Sequence, residues 1–137
     1  MIKPLSEAAQ AKSSREVVNV IVEAIQDAKG SNLSLIDVSK LFDLSDYFIV
    51  VSGRSDRQVQ GISNRIINAL QEIGVEIPSI EGMEEGQWVL IDLGDIVVHV
   101  FYEATREYYD FDSLWARAER IKLDDIPGAK NSPRHAA

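Results

Sequence analysis

The 137-residue sequence contains no cysteine. Disulfides, thiol catalysis and thiolate-ligated zinc are excluded with it, although no compartment is. Histidine is almost as scarce. Of the 2 present, His99 stands inside the chain and His135 near its C-terminus, so a two-histidine metal site is not expected. No apolar run approaches the ~20 residues needed to cross a bilayer. The opening MIKPLSEAAQAKSSRE has no apolar signal-peptide core, which points to a cytoplasmic protein without membrane attachment. Basic residues are missing from one long region: residues 76–112 hold 10 Asp or Glu against Arg106 alone. Of the net charge of −8, this region contributes −9, residues 1–75 contribute −1 and residues 113–137 contribute +2. Such a surface repels phosphate backbones, whose binding depends on Lys and Arg. Direct nucleic-acid binding is therefore disfavoured, and a basic protein partner or a metal is favoured. A solvated acidic surface kept for solubility is the plainer alternative.

What is present is an ordinary globular composition, 45% hydrophobic and 26% charged, in a chain long enough for one domain. Residues 1–12 read as frayed. Ser13 and Glu16 have capping-box spacing, and Val17, Ile21, Ala24, Ile25 and Ala28 then share one helical face until Gly30. NLSLIDVS (32–39) reads as a short strand. The unbroken apolar run YFIVVSG (47–53) reads as a strand buried on both faces. Ser55 and Gln58 form a second capping pair, ahead of Val59, Ile62, Ile66, Leu70 and Ile73 on one stripe and Gly74 as the stop. A strand at about 77–81, an exposed acidic loop and a hairpin follow. A last helix is expected from Thr105, with Phe111, Leu114, Trp115, Ala118 and Ile121 as its packing stripe. Residues 13–121 thus form the domain, and 122–137 a flexible tail. The order α-β-β-α-β-β-β-α specifies a single α/β domain with a mixed sheet flanked by helices.

The hairpin QWVLIDLGDIVVHVF (87–101) carries the main functional question. If Leu93 pairs with Ile96 around Gly94-Asp95, then Val89, Ile91, Leu93, Ile96, Val98 and Val100 line one face, which is core. The other face carries Trp88, Leu90, Asp92, Val97, His99 and Phe101, followed by Glu103. Helices covering both sides of the sheet would make this face core as well. The acids count against full burial, because unpaired buried carboxylates are costly. An apolar patch rimmed by acids is otherwise a protein-docking surface, with Trp88 as its anchor. Asp92, His99 and Glu103 share that face but lie too far apart along the hairpin to hold one metal ion. The turn VSGRSDRQ, between a strand and a helix N-terminus, offers an anion or nucleotide site at Gly53–Arg57. It matches no phosphate-loop or dinucleotide fingerprint, and Asp-x-Asp carboxylates for magnesium do not follow it. Ser55 as a helix cap accounts for the same residues.

DYFIVVSGRSDRQV, the EG at 81–82, WVLIDLGDIVVHVF and EATREYYDFDSLW together resemble the ribosomal silencing factor family, also called Iojap-related, from about Ser14 to Trp115. The resemblance implies a nucleotidyltransferase-like fold without the catalytic carboxylates, and a translation inhibitor without enzymatic activity or cofactor. It further implies binding to the large ribosomal subunit through ribosomal protein fourteen, so that the small subunit cannot join when nutrients run short. The family contact surface is apolar with an acidic surround. On matching positions it would involve Trp88, Asp92, Gly94, Asp95 and His99 from the hairpin. Glu103, Arg106, Tyr109, Leu114 and Trp115 would join them from the segment that follows, Leu114 and Trp115 equally well as packing residues. The bound protein would be a monomer, and the free one a possible weak homodimer through the same patch.

Overall fold

A computed structural model describes residues 13–128 of the chain. The frayed segment expected at 1–12 and most of the expected tail, 129–137, lie outside the described residues. Helix α1 (Ser14–Asp27) begins at Ser13, whose hydroxyl accepts from Glu16 N–H while the Glu16 carboxylate accepts from Ser13 N–H. This is the reciprocal box that the spacing announced. Strands β1 (Ser31–Asp37) and β2 (Tyr47–Gly53) follow, then α2 (Asp56–Glu72) with Ser55 as its N-cap. Strand β3 (Ser79–Glu81), the hairpin β4 (Trp88–Asp92) and β5 (Ile96–Tyr102), and α3 (Glu103–Tyr109) complete the expected series.

With β6 (Glu119–Arg120), the six strands among the described residues form one mixed sheet in the order β3-β4-β5-β2-β1-β6. Of these, β2 and β5 run parallel, with Val50 opposite His99; the other neighbours are antiparallel. The hairpin takes the predicted register, Asp92 opposite Val97 and Leu93 N–H donating to Ile96 C=O. Gly94 sits at φ +92°, the left-handed conformation that the first loop position demands.

One face of the sheet is covered by α1 and α2. Val18, Ile21, Ile25, Ile62, Ile66 and Leu70 lock onto Ile49, Val51, Val89, Ile91, Val98 and Val100, all fully or almost fully buried. Burying each of these side chains contributes roughly 1.5–3 kcal/mol, so this layer dominates folding. The second face holds a smaller cluster of Ile36, Val38, Phe48, Val50, Val97, Phe101 and Phe111.

The last part of the chain departs from expectation. No single helix runs on from Thr105: α3 ends at Asp110, which takes φ +53°, and a short α4 (Phe111–Leu114) starts in a new direction. Strand β6 (Glu119–Arg120) then pairs with β1. Aspartate tolerates the left-handed conformation better than most residues. The turn it makes drops Phe111 onto Phe48, His99 and Phe101, at ring separations of 6.4, 4.9 and 5.0 Å. The expected stripe is divided instead: Phe111, Trp115 and Ala118 pack in the second-face cluster, Ile121 packs against the main core, and Leu114 is 68% exposed.

Residues 122–128, expected in the tail, pack against α1. A 3-10 turn (Leu123–Asp125) leads to Ile126, which is fully buried in the main core. Arg15 fixes the segment by donating to the carbonyls of Asp124 and Ile126. Ile126→Ala should therefore cost about 2–4 kcal/mol in urea unfolding, the range for emptying a core isoleucine site; an unchanged midpoint would contradict this packing.

Candidate functional site

The second face of the sheet is divided between closed and open halves. On β5 it is sealed: Val97, His99 and Phe101 are all buried beneath Phe111 and its neighbours. On β4 it stays partly open: Trp88, Leu90 and Asp92 are half-buried, with Trp88 touched by Tyr109 of α3 and Phe111 of α4 but not enclosed by them. Both readings left open by the sequence therefore apply, one to each strand.

Trp88 is held from three directions. Its indole N–H donates to His99 Nδ1 at 3.2 Å, and its ring lies 4.7 Å from Phe101 and 5.7 Å from Tyr109. The backbone behind it is equally constrained. Gly82, at φ +84°, approaches the Trp88 carbonyl so closely that a Cβ there would sit 2.1 Å from the oxygen. Only glycine fits that contact, which gives the EG at 81–82 a physical reason. Gln60 closes the loop from the helix side by donating to the carbonyls of Met83 and Glu84.

His99 and Arg106, expected at the partner surface, lie behind it. His99 is 4% exposed among Phe48, Trp88, Phe101 and Phe111, and its Nε2 has no hydrogen-bond partner among the described residues. Desolvation pushes its pKa down from 6.5 to about 3, which keeps the ring neutral and its Nδ1 free to accept from Trp88. Arg106 is buried with all its hydrogen bonds internal. Nε and Nη2 fork onto the Asp112 carboxylate at 3.0 Å each, and Nη1 donates to Asn32 C=O and Ser52 Oγ at 2.9 Å each. These bonds hold the Asp112 carboxyl below its usual pKa. Both residues position the surface and are not presented by it, a correction to the contact role expected of them.

The remaining expected residues are accessible. Asp92 Oδ1 accepts from Gly94 N–H at 2.8 Å and so shapes the hairpin turn. Gly94 and Asp95 are exposed at its tip, anchored through Ser45 Oγ to Gly94 C=O and through Asp46 N–H and Tyr47 N–H to Asp95 C=O. Glu103 is exposed in the first turn of α3, Tyr109 is 53% exposed beside Trp88, and Leu114 projects from α4. Trp115 is half-buried, its ring 4.8 Å from Phe48 and 5.8 Å from Phe42. It packs, whereas Leu114 does not. The sequence reading passed over Tyr108, Leu41 and Leu44, which are exposed, and Phe111 as the organiser of the cluster. Leu41 and Leu44 carried a signal in LFDLSD, large apolar residues in a stretch with no periodic element to bury them.

The Gly53–Arg57 turn uses its own donors. Ser55 Oγ accepts from Gln58 N–H at 3.0 Å, Gln58 Oε1 accepts from Arg54 N–H at 2.7 Å, and Gln58 Nε2 donates to Lys29 C=O at 3.1 Å. The bonds an anion would accept at a helix start are thus partly taken by the chain itself. Among the described residues no group of three or more His, Cys, Asp or Glu is placed to hold a metal ion, and no helix is long and apolar enough to cross a membrane.

The second face is thus apolar around Trp88 and Leu90 and carries the exposed acids Asp95 and Glu103 at its margin. Residues 11–137 match the family model described as "Ribosomal silencing factor during starvation". A Halalkalibacterium halodurans protein named Ribosomal silencing factor RsfS is 37% identical over 83% of this chain and 97% of its own length. One of the same name from Chromobacterium violaceum is 45% identical over 74% of this chain and 83% of its own length. A crystal structure of a Chromobacterium violaceum protein superimposes with a TM-score of 0.71 and 41% identity, covering 84% of this chain and 94% of that one. The chain belongs to the ribosomal silencing factor (Iojap-related) family. That family has a ribosome-associated silencing role in translation and is not a known enzyme family.

Burial of a neutral histidine makes stability pH-dependent. The folded pKa of about 3 lies below the unfolded 6.5, so protonation favours the unfolded state and stability is lost as pH falls below ~6.5. Between pH 8 and pH 5 the wild type should lose about 2 kcal/mol more than His99→Phe in parallel urea titrations. Equal losses would mean that His99 protonates without opening the cluster.

Proposed function

We propose that this protein silences translation by binding the large ribosomal subunit through ribosomal protein fourteen and occupying the place where the small subunit would dock. The half-open β4 face carries the reading. Trp88 and Leu90 supply apolar contact area, while Asp92, Asp95 and Glu103 stand at its margin to pair with Lys and Arg. Tyr109 and Leu114 extend the apolar part toward α3 and α4. No bond is made or broken in this mechanism, so neither cofactor nor catalytic residue is needed; bulk alone blocks subunit joining. The acidic margin disfavours direct contact with ribosomal RNA and favours a basic ribosomal protein. The site of action is then the cytoplasm with its ribosomes, and the occasion is nutrient limitation, in keeping with the starvation wording of the family description. The bound form would be a monomer, and any weak homodimer formed through this face would dissociate on binding.

Purified protein should co-sediment with isolated large subunits and lower the yield of joined ribosomes. Asp95→Lys, an exposed change at the hairpin tip, should abolish co-sedimentation with the unfolding midpoint unchanged; wild-type affinity in that variant would overturn the assignment of the face. Calorimetry with ATP and magnesium at millimolar concentration should give no heat of binding. A saturable heat would instead restore the nucleotide-site reading of Gly53–Arg57.

A further inference from the structure

Next to Trp88, where β4 starts and α3 crosses the sheet edge, the surface forms an open recess of about 470 Å³. Trp88, Tyr102, Tyr108 and Tyr109 line it together with Gln87 and Thr105. The lining is preorganised in part. Trp88 is clamped by His99 as described above, and Thr105 Oγ1 lies 2.8 Å from Gln87 Oε1, which ties α3 to the start of β4. Tyr108 and Tyr109 stand edge-on to each other, with centroids 5.0 Å apart at 86°, so that their ring planes present two different orientations. Tyr108 is 81% exposed. A ring this exposed is not there for the fold.

We propose that this recess is a receptor for a single cationic side chain, an arginine or lysine of the protein partner, held by cation–π contact with the ring faces. Three observations favour a cation over a purely apolar guest. The indole N–H of Trp88 is already bonded to His99, so what it still offers is the part of its ring that Phe101, Tyr109 and Phe111 leave uncovered. Strands β4 and β5, beside which the recess lies, carry no Lys or Arg, and Arg106 on α3 is paired with Asp112. Glu103 and Glu107 are exposed on the same helix and add attraction at the rim. Aromatic faces attract guanidinium and ammonium groups within about 6 Å of the ring centre. A guanidinium also stacks flat on a ring. The recess adjoins the β4 docking face through Trp88. The proposal rests on the ribosomal reading of that face, to which it adds a specific pocket.

Two substitutions separate ring from bulk. Tyr108→Phe keeps the aromatic face, whereas Tyr108→Leu keeps apolar area and removes the ring; neither should move the unfolding midpoint at so exposed a site. In co-sedimentation with purified large subunits, Tyr108→Leu should bind about three- to tenfold more weakly, the range expected for one partly desolvated cation–π contact, and Tyr108→Phe within about twofold of wild type. Equal binding by Tyr108→Leu would overturn the recess proposal and leave the ribosomal reading standing. If wild-type protein itself fails to bind large subunits, the ribosomal reading fails and the recess is decided by a ribosome-free probe. In NMR titrations, the side-chain protons of N-acetyl-arginine amide should shift upfield with wild type but not with Tyr108→Leu, and uncharged N-acetyl-norvaline amide should not shift. No arginine shift, or an equal one with norvaline amide, would overturn the proposal.

Discussion

The second face depends on the fork that Arg106 makes onto Asp112. Those residues lie on either side of the left-handed turn at Asp110, and their paired hydrogen bonds, at 3.0 Å each, fix the angle between α3 and α4. The same guanidinium reaches Asn32 C=O and Ser52 Oγ, which ties that corner to β1 and β2. With the corner fixed, Phe111 falls on the middle of the sheet and Trp115 on its β1 side. A bidentate guanidinium–carboxylate pair specifies angle as well as proximity. Lysine, with a single point charge and a freely turning stem, would hold the two helices together without dictating how they meet.

That geometry also explains why the sheet is closed over β5 and open over β4. Phe111 covers His99 and Phe101, which are inner strand positions, and α4 is too short to extend the cover further. Trp88 and Leu90, one strand out, pack against the second-face cluster but stay half-buried. The cost of enclosing His99 with an unpaired Nε2 is consistent with this division. The imidazole holds Trp88 through Nδ1, so a buried polar group positions a large aromatic that is itself only half-buried.

Much of the fold could be read from the chain because its signals were local and mutually consistent. Ser13 with Glu16, Ser55 with Gln58, the Gly94-Asp95 turn and the alternation of the hairpin each needed only a few neighbouring residues to interpret. What escaped was non-local. Nothing near Asp110 announces a helix break, because the rings that Phe111 meets after it, Phe48 among them, come from distant parts of the chain. Ile126 resembled tail because its partner is α1, at the other end of the chain. The division of site residues failed for the same reason. Alternation assigns His99 and Asp92 to one face, but only the placement of Phe111 decides that the first is sealed and the second is not. Arg106 looked like a contact residue, being the lone base in an acidic region; its isolation instead reflects a structural pairing within that region.

The distribution of acids follows from the same partition. Strand positions facing the cluster carry apolar or neutral side chains, and Asp92 is half-buried only where its carboxylate has the Gly94 N–H to satisfy it. Asp95 and Glu103 sit where strand gives way to turn or helix, in full contact with water, so their charges cost little to keep and act at long range. Charges in such positions accelerate encounter with a basic surface and set its orientation more than they add to the final affinity. In the proposed complex, affinity would then come from the desolvation of Trp88, Leu90 and their neighbours. Because those side chains are already held in place by His99, Phe101 and Gly82, little conformational freedom remains for binding to remove. Rigidity of the aromatic cluster and openness of the β4 edge are therefore two consequences of one arrangement, with Phe111 covering just enough of the sheet to fix what it leaves exposed.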